Sequence, residues 1–202
     1  MFKNILNRDQ ENLLPLVKSF SSNYYLVGGT SIALHLGHRR SIDFDLFTDN
    51  TFDPLHLRTK ILKDYKIDQT FSQGEGELTV LINKVKVTFF HHPFVIERSV
   101  DFDFIIKLPD LLTLGAMKAF ALGRRAKWKD YVDLYFIFQQ HSFKDLINKT
   151  NSIFKNEFNE KLFRTQLGYF EDIDHSEEIQ YMSGFEKKDE EVKYFLEKIS
   201  LS

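Results

Sequence analysis

The stretch LVGGTSIALHLGHRRSIDFDLF, residues 26–47, decides how the rest of the chain is read. A β-prone run ends at Gly28-Gly29, an apolar segment of helical length follows and closes at Gly37, and SIDFDLF alternates polar and apolar residues. These patterns predict strand, turn, helix, strand. In a strand, residues i and i+2 share a face, so Asp43 and Asp45 would stand side by side with Phe44 turned to the core. Carboxylates that close raise each other's pKa unless a cation neutralises them. A divalent ion with oxygen ligands, Mg²⁺ or Mn²⁺ carrying a nucleotide's phosphates, is the natural partner.

The other end of the stretch suits the anion. Gly28 and Gly29 let the backbone approach a phosphate and adopt positive φ, and a helix N-terminus offers exposed N–H groups. Thr30 adds a hydroxyl, Ser31 could add a second, and Arg39 and Arg40 bring guanidinium donors suited to phosphate oxygens. Singly, each feature is common. Asp101-Phe102-Asp103 and Asp172-Ile173-Asp174 repeat the acidic spacing without a glycine turn upstream, and both read as structural or surface. The ordered combination sets the first pair apart.

Working outward, DQENLLPLVKSF reads as an amphipathic helix capped by Asp9 or Asn12. Asp53-Pro54 reads as an N-cap and first helical position, opening a helix to about Tyr65. ELTVLINKVKVTFFHH splits at Asn83-Lys84 into a hairpin. Beyond Leu108-Pro109 the character changes, and DLLTLGAMKAFALGRR, KWKDYVDLYFIFQQ, FKDLINKTNSIFK, FNEKLFRTQLGYF and KKDEEVKYFLEKI all read as helices. The expected organisation is a mixed α/β part over residues 1–108 and a helical part over 109–202, packed as one unit with the active cleft between them.

Composition narrows the classes. The 202 residues contain no cysteine, so disulfides, thiolate metal sites and cysteine nucleophiles are excluded, and a cytoplasmic setting is expected. The opening MFKNILNRDQENLL is charged early and lacks the apolar run of a secretory signal, and no window suits a bilayer span. A formal net charge of −2 gives no general attraction for nucleic acid, so any RNA or nucleotide must be met by local basic clusters. Most of the 21 phenylalanines are expected in the core.

Residues 28–47 resemble the first motif of the DNA polymerase β-like nucleotidyltransferases, in which a glycine turn opens a helix and Asp-x-Asp follows on the next strand. More closely, Gly28, Gly29 and Thr30 followed by Arg39, Ser41, Asp43 and Asp45 resemble the AbiEii/AbiGii-type nucleotidyltransferase toxins, with Arg39 rather than Arg40 at the family's arginine position. MKAFALGRRAKWKDYVDLYF is similar to the family's helical motif through Lys118, Ala121, Arg125, Lys129, Asp130 and Asp133. Lys118, Ala121 and Arg125 fall at i, i+3 and i+7, one helical face, where Lys118 and Arg125 could meet a triphosphate; Asp130 and Asp133 share a face of the next helix.

The resemblance implies an α+β fold, a polymerase β-like mixed sheet with helices followed by a helical C-terminal half. It implies metal-dependent transfer of a nucleoside monophosphate from an NTP to an acceptor, tRNA among the candidates, by the toxin of a pair whose antitoxin is a separate protein. Asp43 and Asp45 would hold the metal, Gly28, Gly29, Thr30, Arg39, Ser41, Lys118 and Arg125 the nucleotide, with Lys118, Asp130 and Asp133 also catalytic. One position departs: superfamily members usually carry a third acid on a later strand, and here Thr88 stands where it is expected. A threonine is not a general base at neutral pH, so either Asp130 or Asp133 takes that role or the protein is an impaired module that binds nucleotide or a protein partner. An enzyme modifying a small molecule such as an aminoglycoside shares the first motif, and the segment from Lys118 to Asp133 argues against it.

Overall fold

The computed structural model of the chain describes residues 1–122, 124 and 126–202. It divides into two compact units, Met1–His35 with Ser41–Asp110, and Leu36–Arg40 with Leu111–Ser202.

The first unit is built on a five-stranded mixed sheet. Its elements are α1 (Arg8–Ser19), β1 (Tyr25–Val27), α2 (Gly28–Leu36, whose last residue belongs to the second unit), β2 (Phe44–Thr48), α3 (Pro54–Ile61), β3 (Gln69–Gly74), β4 (Glu77–Ile82) and β5 (Val85–His91). The sheet order is β1-β2-β5-β4-β3; β2 and β5 run parallel and the other neighbours antiparallel. Alternation sets the core side: Phe44, Leu46, Leu78, Val80, Val87 and Phe89 are all fully buried, whereas Asp45 and Thr88 on the opposite face are half-buried. The β4–β5 hairpin turns at Asn83 and Lys84, both at positive φ, as a two-residue hairpin with right-handed strand twist demands.

Three local readings change in the structure. The cap of α1 is Asn7 rather than Asp9 or Asn12: its side chain accepts from Gln10 N (2.8 Å) while Gln10 Oε1 accepts from Asn7 N (3.2 Å), a reciprocal capping box. Strand β2 begins at Phe44, so Ser41 and Asp43 lie in the extended approach to it. β3 is polar and exposed, and β6 (Val100–Phe102) and β7 (Ile106–Leu108) are only three residues long, so pairing with neighbours makes them strands. The two comparison acid pairs border turns. Asp101 accepts from Phe104 N in the β6–β7 turn, and Asp174 accepts from Ser176 N.

The second unit is helical: α4 (Leu111–Leu122), α5 (Trp128–Ile137), α6 (Phe143–Phe154), α7 (Glu160–Leu167) and α8 (Asp189–Ser200). Helix α4 packs on α5, α6 and α7, and α8 on α5 and α7. A Cβ at Gly115 would stand 3.0 Å from both Ile137 and Leu146 side chains, so glycine there allows α4 its close approach to α5 and α6. Residues 36–40 join this unit through long-range bonds. Arg40 N donates to Gln180 O, Met182 N donates to His38 O, and Arg39 bridges to Tyr181.

Candidate active site

Asp43 and Asp45 present their carboxylates on the half-buried face of the sheet. Asp45 is in register with Thr88 of β5, and Thr88 with Thr79 of β4, whose hydroxyl lies 3.4 Å away. Next to Asp45 on the neighbouring strand there is thus a hydroxyl and not a carboxylate. Two residues earlier on β5, Lys86 reaches Asp43, Nζ to Oδ2 3.0 Å.

The turn that opens α2 lies directly against this pair. Gly28 has φ +71°, and a Cβ there would fall 2.0 Å from Asp45 Oδ2. Any side chain would thus displace the carboxylate besides straining the backbone. Thr30 is buried, and its hydroxyl donates to the carbonyls of Ser41 (3.2 Å) and Asp43. It fastens the approach to β2 rather than facing outward as a phosphate donor. Gln10, fully buried in α1, completes the fastening by donating Nε2 to Ser41 O at 2.8 Å. The Ser31 hydroxyl is buried without a hydrogen-bond partner in the described structure. Sequence reading missed Gln10 because its capping pattern gives no sign that the amide also reaches a carbonyl 31 residues away.

The donor set bears on which metal fits. Among the described residues no group of three or more His, Cys, Asp or Glu is arranged to hold an ion. Mg²⁺ keeps several waters and takes one or two carboxylates plus substrate phosphates. Asp43 and Asp45, beside a glycine cradle that a Cβ would fill, fit an ion of that kind arriving with a nucleotide.

The second unit holds the other predicted residues, and they meet one another. Lys118, 5% exposed, donates to Asp130 Oδ1 and stands 3.1 Å from Asp133 Oδ2. Arg39 forks onto Asp133, Nε to Oδ1 2.8 Å and Nη2 to Oδ2 2.9 Å, and its Nη1 donates to Arg40 O. His38 Nε2 lies 2.8 Å from Asp133 Oδ1. Asp130 and Asp133 are fully buried on one face of α5. Burial alone would raise the Asp133 pKa, but Arg39, Lys118 and His38 together hold it well below the carboxylate range. Burial likewise pulls down on Lys118 and Arg39, and their carboxylate partners more than offset it.

His38 behaves differently. Burial lowers its pKa despite the bond to Asp133. Its Nδ1 is buried without a hydrogen-bond partner, so protonation would strand an N–H there. The neutral ring, donating from Nε2, is the form that fits. Nearby, Glu177 accepts from Lys127 Nζ (2.6 Å) and from Lys129 Nζ, which brings its pKa down to about 2 against a burial effect that raises it. Arg125, the last predicted nucleotide contact, lies outside the described residues, and α4 ends at Leu122.

Comparison with known proteins bears on the family and the fold. An uncharacterized protein from Aquifex aeolicus (strain VF5) is 29% identical over 175 residues, covering 83% of this chain and 84% of the relative. The fold is shared with MenT4, a nucleotidyltransferase toxin from Mycobacterium tuberculosis H37Rv, at TM-score 0.61 and 15% identity over 95% of this chain and 81% of that one. A crystal structure of a candidate nucleotidyltransferase from H. pylori matches at TM-score 0.58 and 14% identity, over 96% and 92% of the two chains. Among the described residues no helix is long and apolar enough to cross a membrane. Residues 16–189 match the AbiEii nucleotidyl transferase toxins of type IV toxin–antitoxin systems, and the chain belongs to that family of nucleotidyltransferases.

Proposed function

We propose that this toxin transfers a nucleoside monophosphate from an NTP to an RNA acceptor, tRNA first among the candidates, with Mg²⁺ or Mn²⁺ at Asp43 and Asp45. The observation supporting this reading is the shared face of the two carboxylates, with Asp45 against the Gly28 turn at the start of α2. A divalent ion held there supplies positive charge at the nucleotide's phosphates. The chain's own groups orient the reactants. Gly28 and Gly29 leave space and N–H groups for phosphate oxygens at the α2 N-terminus. Thr30 and Gln10 fix the carbonyls of Ser41 and Asp43, and so the direction of both carboxylates. The acceptor hydroxyl oxygen bonds to the α-phosphorus and its proton passes to solvent, the bond from the α-phosphorus to the bridging oxygen breaks, and pyrophosphate leaves.

In this reading Lys118, Asp130, Asp133 and Arg39 act by position. Their charges are matched to one another, and they anchor residues 36–40, from which the chain runs directly into Ser41 and Asp43. Asp133, held ionised by three partners, has little proton affinity and is a weak base. Phosphoryl transfer tolerates that, because a loose transition state is served mainly by alignment and electrostatics. The family also implies a cognate antitoxin protein as counterpart.

The test is calorimetric titration of each NTP with Mg²⁺ into wild type and the Asp43→Ala/Asp45→Ala double variant, followed by pyrophosphate release with total tRNA. Binding of one NTP that needs the metal and disappears in the double variant is expected. Millimolar NTP without heat in the wild type would overturn the reading. Thr88 in the register position beside Asp45 favours a second reading, nucleotide binding without turnover, which binding without pyrophosphate release would select.

A further inference from the structure

Lys86 of β5 makes an ion pair with one of the two carboxylates of the candidate site. It stands on β5 two residues before Thr88, so both lie on the face that carries Asp43 and Asp45. Its ammonium is 3.0 Å from Asp43 Oδ2, with side-chain exposures of 40% for Lys86 and 19% for Asp43. An ammonium and a divalent ion compete for the same carboxylate oxygen. A lysine on a flexible four-carbon stem, with two-fifths of its side chain in solvent, can leave that oxygen at small cost, unlike the buried Lys118. Where a third acid would add negative charge to this sheet face, β5 therefore contributes one cation and one hydroxyl.

We propose that Lys86 is a nucleotide-phosphate ligand that rests on Asp43 until the metal–nucleotide arrives and then exchanges the carboxylate for a phosphate oxygen. This rests on the metal–nucleotide reading of the Asp43/Asp45 face. The exchange has a consequence of definite sign. Lys86 opposes binding of a bare divalent ion, because the ion must displace it with nothing offered in return. It favours binding of the same ion with a triphosphate, because the displaced ammonium gains a new anionic partner. The site thereby selects metal–nucleotide over free metal.

The experiment measures two affinities on wild type, Lys86→Met and Lys86→Arg: Mn²⁺ alone, by the loss of its free EPR signal, and the Mg²⁺ complex of the NTP found above, by calorimetry. Lys86→Met should bind bare Mn²⁺ roughly threefold more tightly, the scale of a partly exposed ion pair. It should bind the metal–nucleotide roughly tenfold more weakly, the scale of one charge-assisted hydrogen bond. Lys86→Arg should stay within about threefold of wild type on the nucleotide. Unchanged nucleotide affinity in Lys86→Met, or both affinities moving the same way, overturns the proposal and makes Lys86 a surface partner of Asp43. Failure of the parent reading shows elsewhere, as wild type binding no nucleotide, and Lys86 then has no phosphate to meet. Circular dichroism melts of the three proteins verify that each affinity refers to folded chain.

Discussion

Two aspartate pairs look alike in the sequence and differ in almost every physical respect in the molecule. Asp43 just before β2 and Asp45 within it lie on a half-buried sheet face beside a glycine turn, with the partly exposed Lys86 on Asp43. Asp130 and Asp133, three apart on α5, have no exposed surface and are met by Lys118, Arg39 and the neutral ring of His38. The first pair can change partners, because a partner with access to water can leave. The second cannot, because each ion it releases would remain in a medium that does not solvate it. Acidic spacing nominates a site; exposure and the mobility of the counter-charges decide whether it can bind a ligand or only hold the fold.

The sharpest way to break this comparison is Asp133→Ala. It removes the carboxylate that Arg39, Lys118 and His38 share, and should cost about 3–5 kcal/mol of stability in urea denaturation. Asp43→Ala, by contrast, should stay within about 1 kcal/mol of wild type. Equal losses would mean that burial does not separate the two pairs. Next is Gly28→Ala, which puts a Cβ into Asp45 Oδ2 and a side chain at φ +71°. A loss of about 1–2 kcal/mol is expected, together with weakened Mn²⁺ binding in the EPR titration. A variant that kept full metal affinity would detach the glycine turn from the carboxylate face.

A smaller effect is carried by pH. His38 stays neutral in the folded chain while its ordinary pKa is 6.5, so below that value the unfolded chain binds the extra proton and stability falls with falling pH. Asp133, depressed in the folded state, adds stability that is present above its ordinary 3.8 and is lost as pH drops below it. Melting temperatures from pH 7 to pH 5 should therefore decline in wild type and flatten in His38→Gln; equal slopes would show that the ring is not what titrates. Smallest of all, Glu177→Gln removes partly exposed pairs with Lys127 and Lys129 and should shift stability by no more than about 1 kcal/mol. A larger loss in urea would show that the segment around Glu177 anchors the helical unit.

How far each of these features could be read in advance follows from how local its cause is. Pro54 after the capping Asp53, positive φ at Gly37 and the Asn83-Lys84 hairpin turn are written in adjacent residues, because capping and turn geometry act within one turn of chain. The same holds for the alternation of β2 and β5 and the helical periodicity of α4 to α8. The shared face of Asp43 and Asp45 was legible for that reason: the pleat of a strand is a property of the chain itself. Arg125 was read from the same helical period, but it lies outside the described residues.

What the tertiary structure alone decided is which group answers which. The sequence by itself determined the order of elements, the alternation that carries Asp45 on β2 and the glycines that open α2. It placed Arg39 and Lys118 near phosphate-like chemistry by type, but folding set them on Asp133, 94 residues from Arg39 in the chain. Folding also turned the Thr30 hydroxyl onto the backbone of residues 41 and 43, brought Gln10 to Ser41 and laid Lys86 on Asp43. A charged or polar side chain takes the best counter-group that packing brings within about 3 Å. That choice depends on long-range topology and on how much water the packing leaves, and neither is encoded in the spacing of neighbouring residues.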